Sequence, residues 1–228
     1  MHYLLWIFWA TVLFPVAVPV QYRQRLCPKE NLMSTLLTSD ALDTLFLKAR
    51  SHNGWQKKDV PDELLKRVFD LAKWAPTSAN SGPARFVFVK SAAEREKLKV
   101  TLAPGNVEKT MSAPVTAIIA YDLDFYQQLP RLMPATDARS WFVGKDDLIK
   151  VTAFRNGSMQ GAYLMLAARA LGLDCGPMSG FDNAKLDEAF FKGTSFKSNF
   201  ICNLGYGDEA RLHPRAPRLD FSEACKIV

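Results

Sequence analysis

The run from Val115 to Tyr121 constrains the fold more than any other part of this chain. It is apolar almost throughout and rich in β-branched residues, and it follows directly on Ala113-Pro114. Such a run suits a strand buried on both faces, which the rest of the chain must then cover. Two more strands are expected: Arg85 to Val89, which alternates, and Ser198 to Leu204. Helical periods fill the intervals. Ser39 or Asp40 can cap a helix in which Leu42, Leu45, Phe46 and Ala49 share a face, ending near Arg50. Asp59, with Pro61 in the first turn, opens a second, with Leu64, Leu65, Val68, Leu71 and Ala72 as its apolar stripe. Ser91 and Glu94 form a capping box for a charged third helix. From Asp146 to Leu171 the period is helical again. Met159, Tyr163, Leu166 and Leu171 read as its core face, with small residues from Asn156 to Ala162 for close packing and Gly172 as its stop. A short helix over Asp182 to Phe190 follows. Helices dominate, so the expected architecture is an α+β sandwich: a central, mainly antiparallel sheet surrounded by helices.

The chain of 228 residues, 48% hydrophobic, is long enough for one well-cored domain. Residues 33–228 are read as that domain and 1–32 as a hydrophobic extension outside it. Tyr3 to Val20 is nearly uninterrupted apolar sequence. An artefactual start or dispensable extension, a membrane anchor and a cleaved signal compete there, and the first is adopted. Membrane association then enters only if residues 3–20 are a real anchor, and the expected location is the cytoplasm. The formal charge of +6 is scattered, without a basic stripe interleaved with aromatics, so nucleic acid is not an expected partner. A small anionic ligand suits the surplus at least as well. Cys27, Cys175, Cys202 and Cys225 make no C-x-x-C pair, and His2, His52 and His213 are far apart, so no metal site is expected.

Four separated segments carry compatible chemistry. Arg50-Ser51-His52-Asn53 ends a helix with a cation, a hydroxyl and amide donors. The loop from Pro76 to Ser81 offers Thr77, Ser78 and Asn80. A second small-residue loop, Gly176-Pro177-Met178-Ser179-Gly180, lets backbone approach a flat ring. Arg215 and Arg218 supply planar forks for a phosphate. Each piece also has a plain structural reading: dipole complement, turn glycine or solvated tail charge. Together they suit a flavin mononucleotide, and the lack of a G-x-G-x-x-G between strand and helix argues against a Rossmann dinucleotide site.

The order of these segments resembles the nitroreductase family of FMN flavoproteins over roughly residues 40–228. The segments carrying the resemblance include Ala49 to Trp55, Lys73 to Asn80, Ala113 to Ala117, Asp137 to Phe142, Thr152 to Asn156, Leu171 to Asp182 and Asn203 to Asp208. Within the family the chain is most similar to the malonic semialdehyde reductase branch, which forms 3-hydroxypropanoate in pyrimidine degradation. The resemblance implies an intertwined homodimer with FMN at the subunit interface. It assigns Arg50, Ser51, His52 and Asn53 to the flavin phosphate and ring edge, and Thr77, Ser78 and Asn80 to the isoalloxazine rim. Gly176, Met178, Ser179 and Gly180 fall beside the ring, and Arg215 and Arg218 at the phosphate. Asn53 stands where many members carry a second basic residue.

The implied reaction is ping-pong reduction of malonic semialdehyde, with NADPH or NADH giving hydride to flavin N5 and the aldehyde then taking it. No amino-acid nucleophile is called for. Arg139 and Arg155 are candidate clamps for the substrate carboxylate, and Trp141 a candidate cover in the aromatic, irregular stretch 122–145. A broad nitro- or quinone reductase and a non-catalytic flavin-binding protein are the alternatives.

Overall fold

The computed structural model describes residues 36–228, so the calls on the N-terminal extension lie outside the described residues. In the compact unit Thr38–Val228 the elements run α1 (Ser39–Leu42), α2 (Asp62–Ala72), β1 (Ala84–Val89), α3 (Ala92–Lys99), α4 (Pro104–Ser112) and β2 (Val115–Asp122). After them come α5 (Leu129–Leu132), α6 (Asp146–Ala170), β3 (Asp174–Met178), α7 (Asn183–Phe190), β4 (Phe196–Gly205) and α8 (Phe221–Ala224). The strands form one sheet in the order β1-β2-β4-β3, with every neighbouring pair antiparallel. This is the expected α+β arrangement.

β2 is central and buried along nearly its whole length, as its composition requires. Its side chains alternate between two cores. Val115, Ala117 and Ile119 pack with Val68, Leu164 and Ala168 of α2 and α6. Ile118 and Ala120 pack on the other face with Leu98 and Leu186 of α3 and α7. Each fully buried Ile or Leu contributes about 1.5–3 kcal/mol relative to exposure, and helices on both faces are what make that burial possible. The stretch 122–145 forms a third core, with Phe125, Leu129, Ala138 and Phe142 packed under the start of α6.

Three local expectations are corrected. The cap of α1 is Thr38, whose Oγ1 accepts from the Ala41 amide at 3.3 Å, rather than Ser39 or Asp40. Cys175 to Met178 is not loop but most of β3, because its backbone completes the ladder on β4. The third concerns α6. Its buried face is Ile149, Ala153, Asn156, Gly157, Gln160, Gly161, Leu164, Ala167 and Ala168. Met159 and Tyr163, expected in the core, are 38% and 40% exposed. Periodicity put the core on the face of large apolar residues, whereas the face bearing the glycines is the one that fits against the sheet. A β-carbon on Gly161 would come within 2.6 Å of the Phe200 ring, so a larger residue there would push the helix off. Among the described residues no helix is long and apolar enough to cross a membrane.

Candidate functional site

The segment after α1 is laid along the free edge of β3. Ser51 pairs with Cys175 in a single parallel bridge, and the His52 amide donates to the Cys175 carbonyl at 2.9 Å. Gly176 sits directly beneath, where a β-carbon would fall 2.5 Å from the His52 carbonyl oxygen. The closeness that glycine permits is thus used by the chain's own backbone at this position. Trp55 bridges Gly207 beyond the end of β4. The His52 imidazole is buried, with Nε2 3.3 Å from Asp174 Oδ1, while Asp174 Oδ2 accepts from the Gly207 amide at 2.8 Å. His52 Nδ1 is buried without a partner among the described residues.

Two arginines close this corner by bracing each other's backbone. Arg50 Nη2 donates to the His213 carbonyl, and Arg215 Nη2 donates to the carbonyls of Leu47 and Ala49 at 2.8 and 3.0 Å. Arg50, His52, Asp174, Gly207 and Arg215 line a cavity of about 550 Å³. Among the described residues each guanidinium is fixed through one nitrogen, so its remaining N–H groups suit an anion such as a phosphate. Arg218 stays apart on the exposed tail, donating among the described residues to the Ala216 and Pro217 carbonyls. Met178 to Gly180 leads away from this corner. The Gly180 carbonyl accepts from Asn106 Nδ2 at 2.7 Å and from the Ala103 amide at 3.0 Å. Asn106, in the first turns of α4, is a neighbour of the predicted ring segment that sequence reasoning missed. Only its position one residue after Pro104-Gly105 marked it.

The loop 77–83 lies at the other end of the sheet. The Asp122 amide at the end of β2 donates to the Pro83 carbonyl, and Arg85 joins Asp122 across 2.6 Å while donating to the Gly82 carbonyl. Ser78 N–H donates to Asn156 Oδ1 at 2.8 Å, and the Ala84 amide donates to Gln160 Oε1 at 2.8 Å, both acceptors being on α6. Thr77 Oγ1 accepts from the Gly82 amide, and Asn80 Nδ2 donates to the Leu132 carbonyl at 2.7 Å. Ala79 and Asn80 both have positive φ, 54° and 49°. A non-glycine residue in that region costs on the order of 1–3 kcal/mol, and such turns persist where neighbours over-determine them. Arg139, Trp141 and Arg155 belong to this end too. Arg139 Nε donates to Gln127 Oε1 at 2.8 Å on the turn Ala138–Trp141, and Arg155 precedes Asn156 on the exposed side of α6. Trp141 is 45% exposed and not part of the core under it.

Most of the predicted residues therefore fall into two groups, with Arg218 and Met178 to Gly180 outside both. The arginine corner lies by the end of β4 and the polar loop by its start. Nine residue steps separate Phe196 from Gly205, roughly 30 Å at the usual strand rise. Within one copy of the chain the two groups lie toward opposite ends of the sheet. As for fit, the corner has guanidinium forks suited to a phosphate. The distant loop offers short polar side chains and a buried Ser81 Oγ, without a partner among the described residues, suited to the polar edge of a flat heterocycle.

Known proteins share this plan. The family model described as the Nitroreductase family matches residues 47–206. A Burkholderia lata protein, provisionally named an NADH dehydrogenase/NAD(P)H nitroreductase, is 62% identical over 193 residues, which span 85% of this chain and 99% of that protein. A Polynucleobacter asymbioticus protein of the same provisional name is 61% identical over 196 residues, 86% of this chain and 100% of its own. Among solved structures, a provisionally assigned nitroreductase of Exiguobacterium sibiricum, in complex with FMN, matches with TM-score 0.74 at 20% identity. It covers 86% of this chain and 100% of that one. A provisionally assigned Bacillus subtilis nitroreductase matches with the same TM-score at 21% identity, over 84% and 100%. At these identities the structural likeness speaks for the fold.

Proposed function

This chain belongs to the nitroreductase family, and we propose that it is an FMN-dependent NAD(P)H oxidoreductase, working as an intertwined homodimer, that reduces malonic semialdehyde to 3-hydroxypropanoate. The observation that carries the flavin and the dimer together is the separation of the arginine corner from the polar loop. Both halves have the chemistry of one ligand, and only a second copy can bring them together. The exposed apolar side chains of α6, and Leu219 and Phe221 on the C-terminal tail, support such a pairing.

Arg50 and Arg215 would hold the FMN phosphate, with Ser51 and His52 beside it. Thr77, Ser78 and Asn80 of the partner copy would rim the ring, and Met178 to Gly180 would lie along it. When bound, FMN supplies hydride transfer from NAD(P)H to an acceptor. The chain's own work is to stack both substrates against one flat face, exclude water and offset charge at the acceptor oxygen. Among the described residues Arg139 is tied down through Nε, which leaves its Nη groups to pair with a substrate carboxylate. Arg155 is exposed one residue from the helix amide that holds the rim loop, and serves as a second clamp.

The names of the relatives support a second reading, a broader nitro- or quinone reductase on the same flavin. Absorbance of the purified protein before and after anaerobic NADPH and NADH tests the flavin reading: a yellow protein that bleaches agrees with it, and a colourless one refutes it. Turnover of malonic semialdehyde against nitrofurazone and menadione separates the two substrates. A cytoplasmic location goes with either.

A further inference from the structure

We infer that Asn156 is a positioning residue for the flavin rim, fixing from the buried side of α6 the left-handed turn that presents Ser78 and Asn80. The inference rests on the flavin reading above. The Asn156 side chain is almost wholly buried, and both ends of its amide are committed. Oδ1 accepts the Ser78 N–H at 2.8 Å, and Nδ2 donates to the Thr152 carbonyl at 2.8 Å. The helix carbonyl thus orients the amide so that its oxygen faces the loop. The loop needs such a hold, because two consecutive non-glycine residues, Ala79 and Asn80, are in the left-handed region.

Within the turn the Asn80 and Ser81 amides donate to the Thr77 and Ser78 carbonyls at 3.0 Å, and Thr77 Oγ1 accepts from the Gly82 amide. Asn80 reaches the short helix α5, Gln160 holds Ala84 where β1 begins, and Asn156 ties the turn to α6. Among the described residues, the Ser78 amide has Asn156 as its hydrogen-bond acceptor. Removing that acceptor leaves a donor unpaired next to a strained pair, and the turn can then relax to ordinary backbone. Ser78 and Asn80 would leave the geometry in which they meet a ring, while the fold beneath stayed intact. Arg155 stands next to Asn156 in sequence on the exposed side, so the same stretch of helix sets both the rim and a candidate substrate clamp.

The test is titration of the full-length apoprotein with FMN, read by flavin fluorescence and by visible circular dichroism of the bound ring. Asn156→Ala is expected to weaken FMN about tenfold, the size of one hydrogen bond left unmade, and to change the dichroic band. Adding Ala79→Gly to Asn156→Ala is expected to recover about threefold, because glycine enters the left-handed region without the penalty. Either of two results would overturn the assignment: Asn156→Ala binding FMN within about twofold of wild type with an unchanged band, or no recovery with Ala79→Gly. A wild-type chain that takes up no FMN sinks the flavin reading itself, and this assignment with it. Wild-type uptake with unaltered variants sinks the assignment alone.

Discussion

The imidazole of His52 packs against the α-carbon of Gly207 so closely that a β-carbon there would lie 2.0 Å from Nδ1. Backbone, not a flexible side-chain tip, carries that β-carbon, and His52 is buried between Asp174 and Trp55. Gly207→Ala should therefore destabilise the protein by about 2 kcal/mol, the usual cost of forced overpacking. Gly105→Ala, in α4 with nothing within 4 Å, should be neutral or stabilising by about 0.5–1 kcal/mol. Urea denaturation of the two variants checks the contrast, and equal midpoints would refute it.

The arginine corner predicts a preference for the phosphorylated flavin. Arg50→Ala and Arg215→Ala should each weaken FMN by roughly tenfold to a hundredfold, as charge-assisted hydrogen bonds do. Riboflavin, which lacks the phosphate, should bind each variant within about twofold of wild type. If both ligands weaken equally, the two arginines brace the backbone and nothing more.

How far this corner was legible in the sequence differs from residue to residue. Arg50, His52 and Arg215 were readable because cations and small polar residues clustered at a helix end and in a proline-rich tail, and they share a cavity. Asn106, Asn156 and Gln160 were not. A buried amide in a helix has no local signature, since its partner is a backbone group fixed only by the tertiary fold. β3 was hidden for a similar reason: Cys175-Gly176-Pro177 has turn composition, and its pairing with β4 overrides that preference. On α6 the period showed which residues share a face, but which face meets the sheet depended on Gly157 and Gly161 and the side chains opposite them.

Arg139 should discriminate between substrates by charge. With Nε held by Gln127, its loss in Arg139→Ala should raise KM for malonic semialdehyde about tenfold and leave menadione within about twofold. Steady-state kinetics on both acceptors decide the matter. A parallel rise in both values would make Arg139 a support of the 122–145 segment instead.

Tyr121 gives a pH dependence. Its ring packs edge-on to Phe154 at 5.7 Å, burial pushes the phenol pKa up, and the charge of Asp187 adds to that. A raised pKa in the folded state means the neutral phenol is the favoured form. The stability it brings is complete below the ordinary tyrosine value of about 10 and is lost as pH climbs through the folded value. The thermal midpoint of wild type should accordingly fall more steeply toward the alkaline end than that of Tyr121→Phe. Parallel curves between about pH 8 and 11 would exclude the effect.

The outer face of α6 is the last and most consequential expectation. Leu148, Val151, Met159 and Tyr163 are between 38% and 49% exposed on the half of the helix away from its buried glycines. Four large apolar groups on one 25-residue helix exceed what isolated surface residues need explaining, and a self-pairing face accounts for them. Met159→Glu places a charge in that face without touching the arginine corner or the rim loop. Light scattering should find wild type at twice the chain mass and Met159→Glu as a monomer. Because the two halves of the flavin site lie at opposite ends of β4, the monomer should also purify without colour. A wild-type monomer would remove the pairing on which the whole reading of the site depends, and a monomeric variant that kept its flavin would mean that one copy suffices.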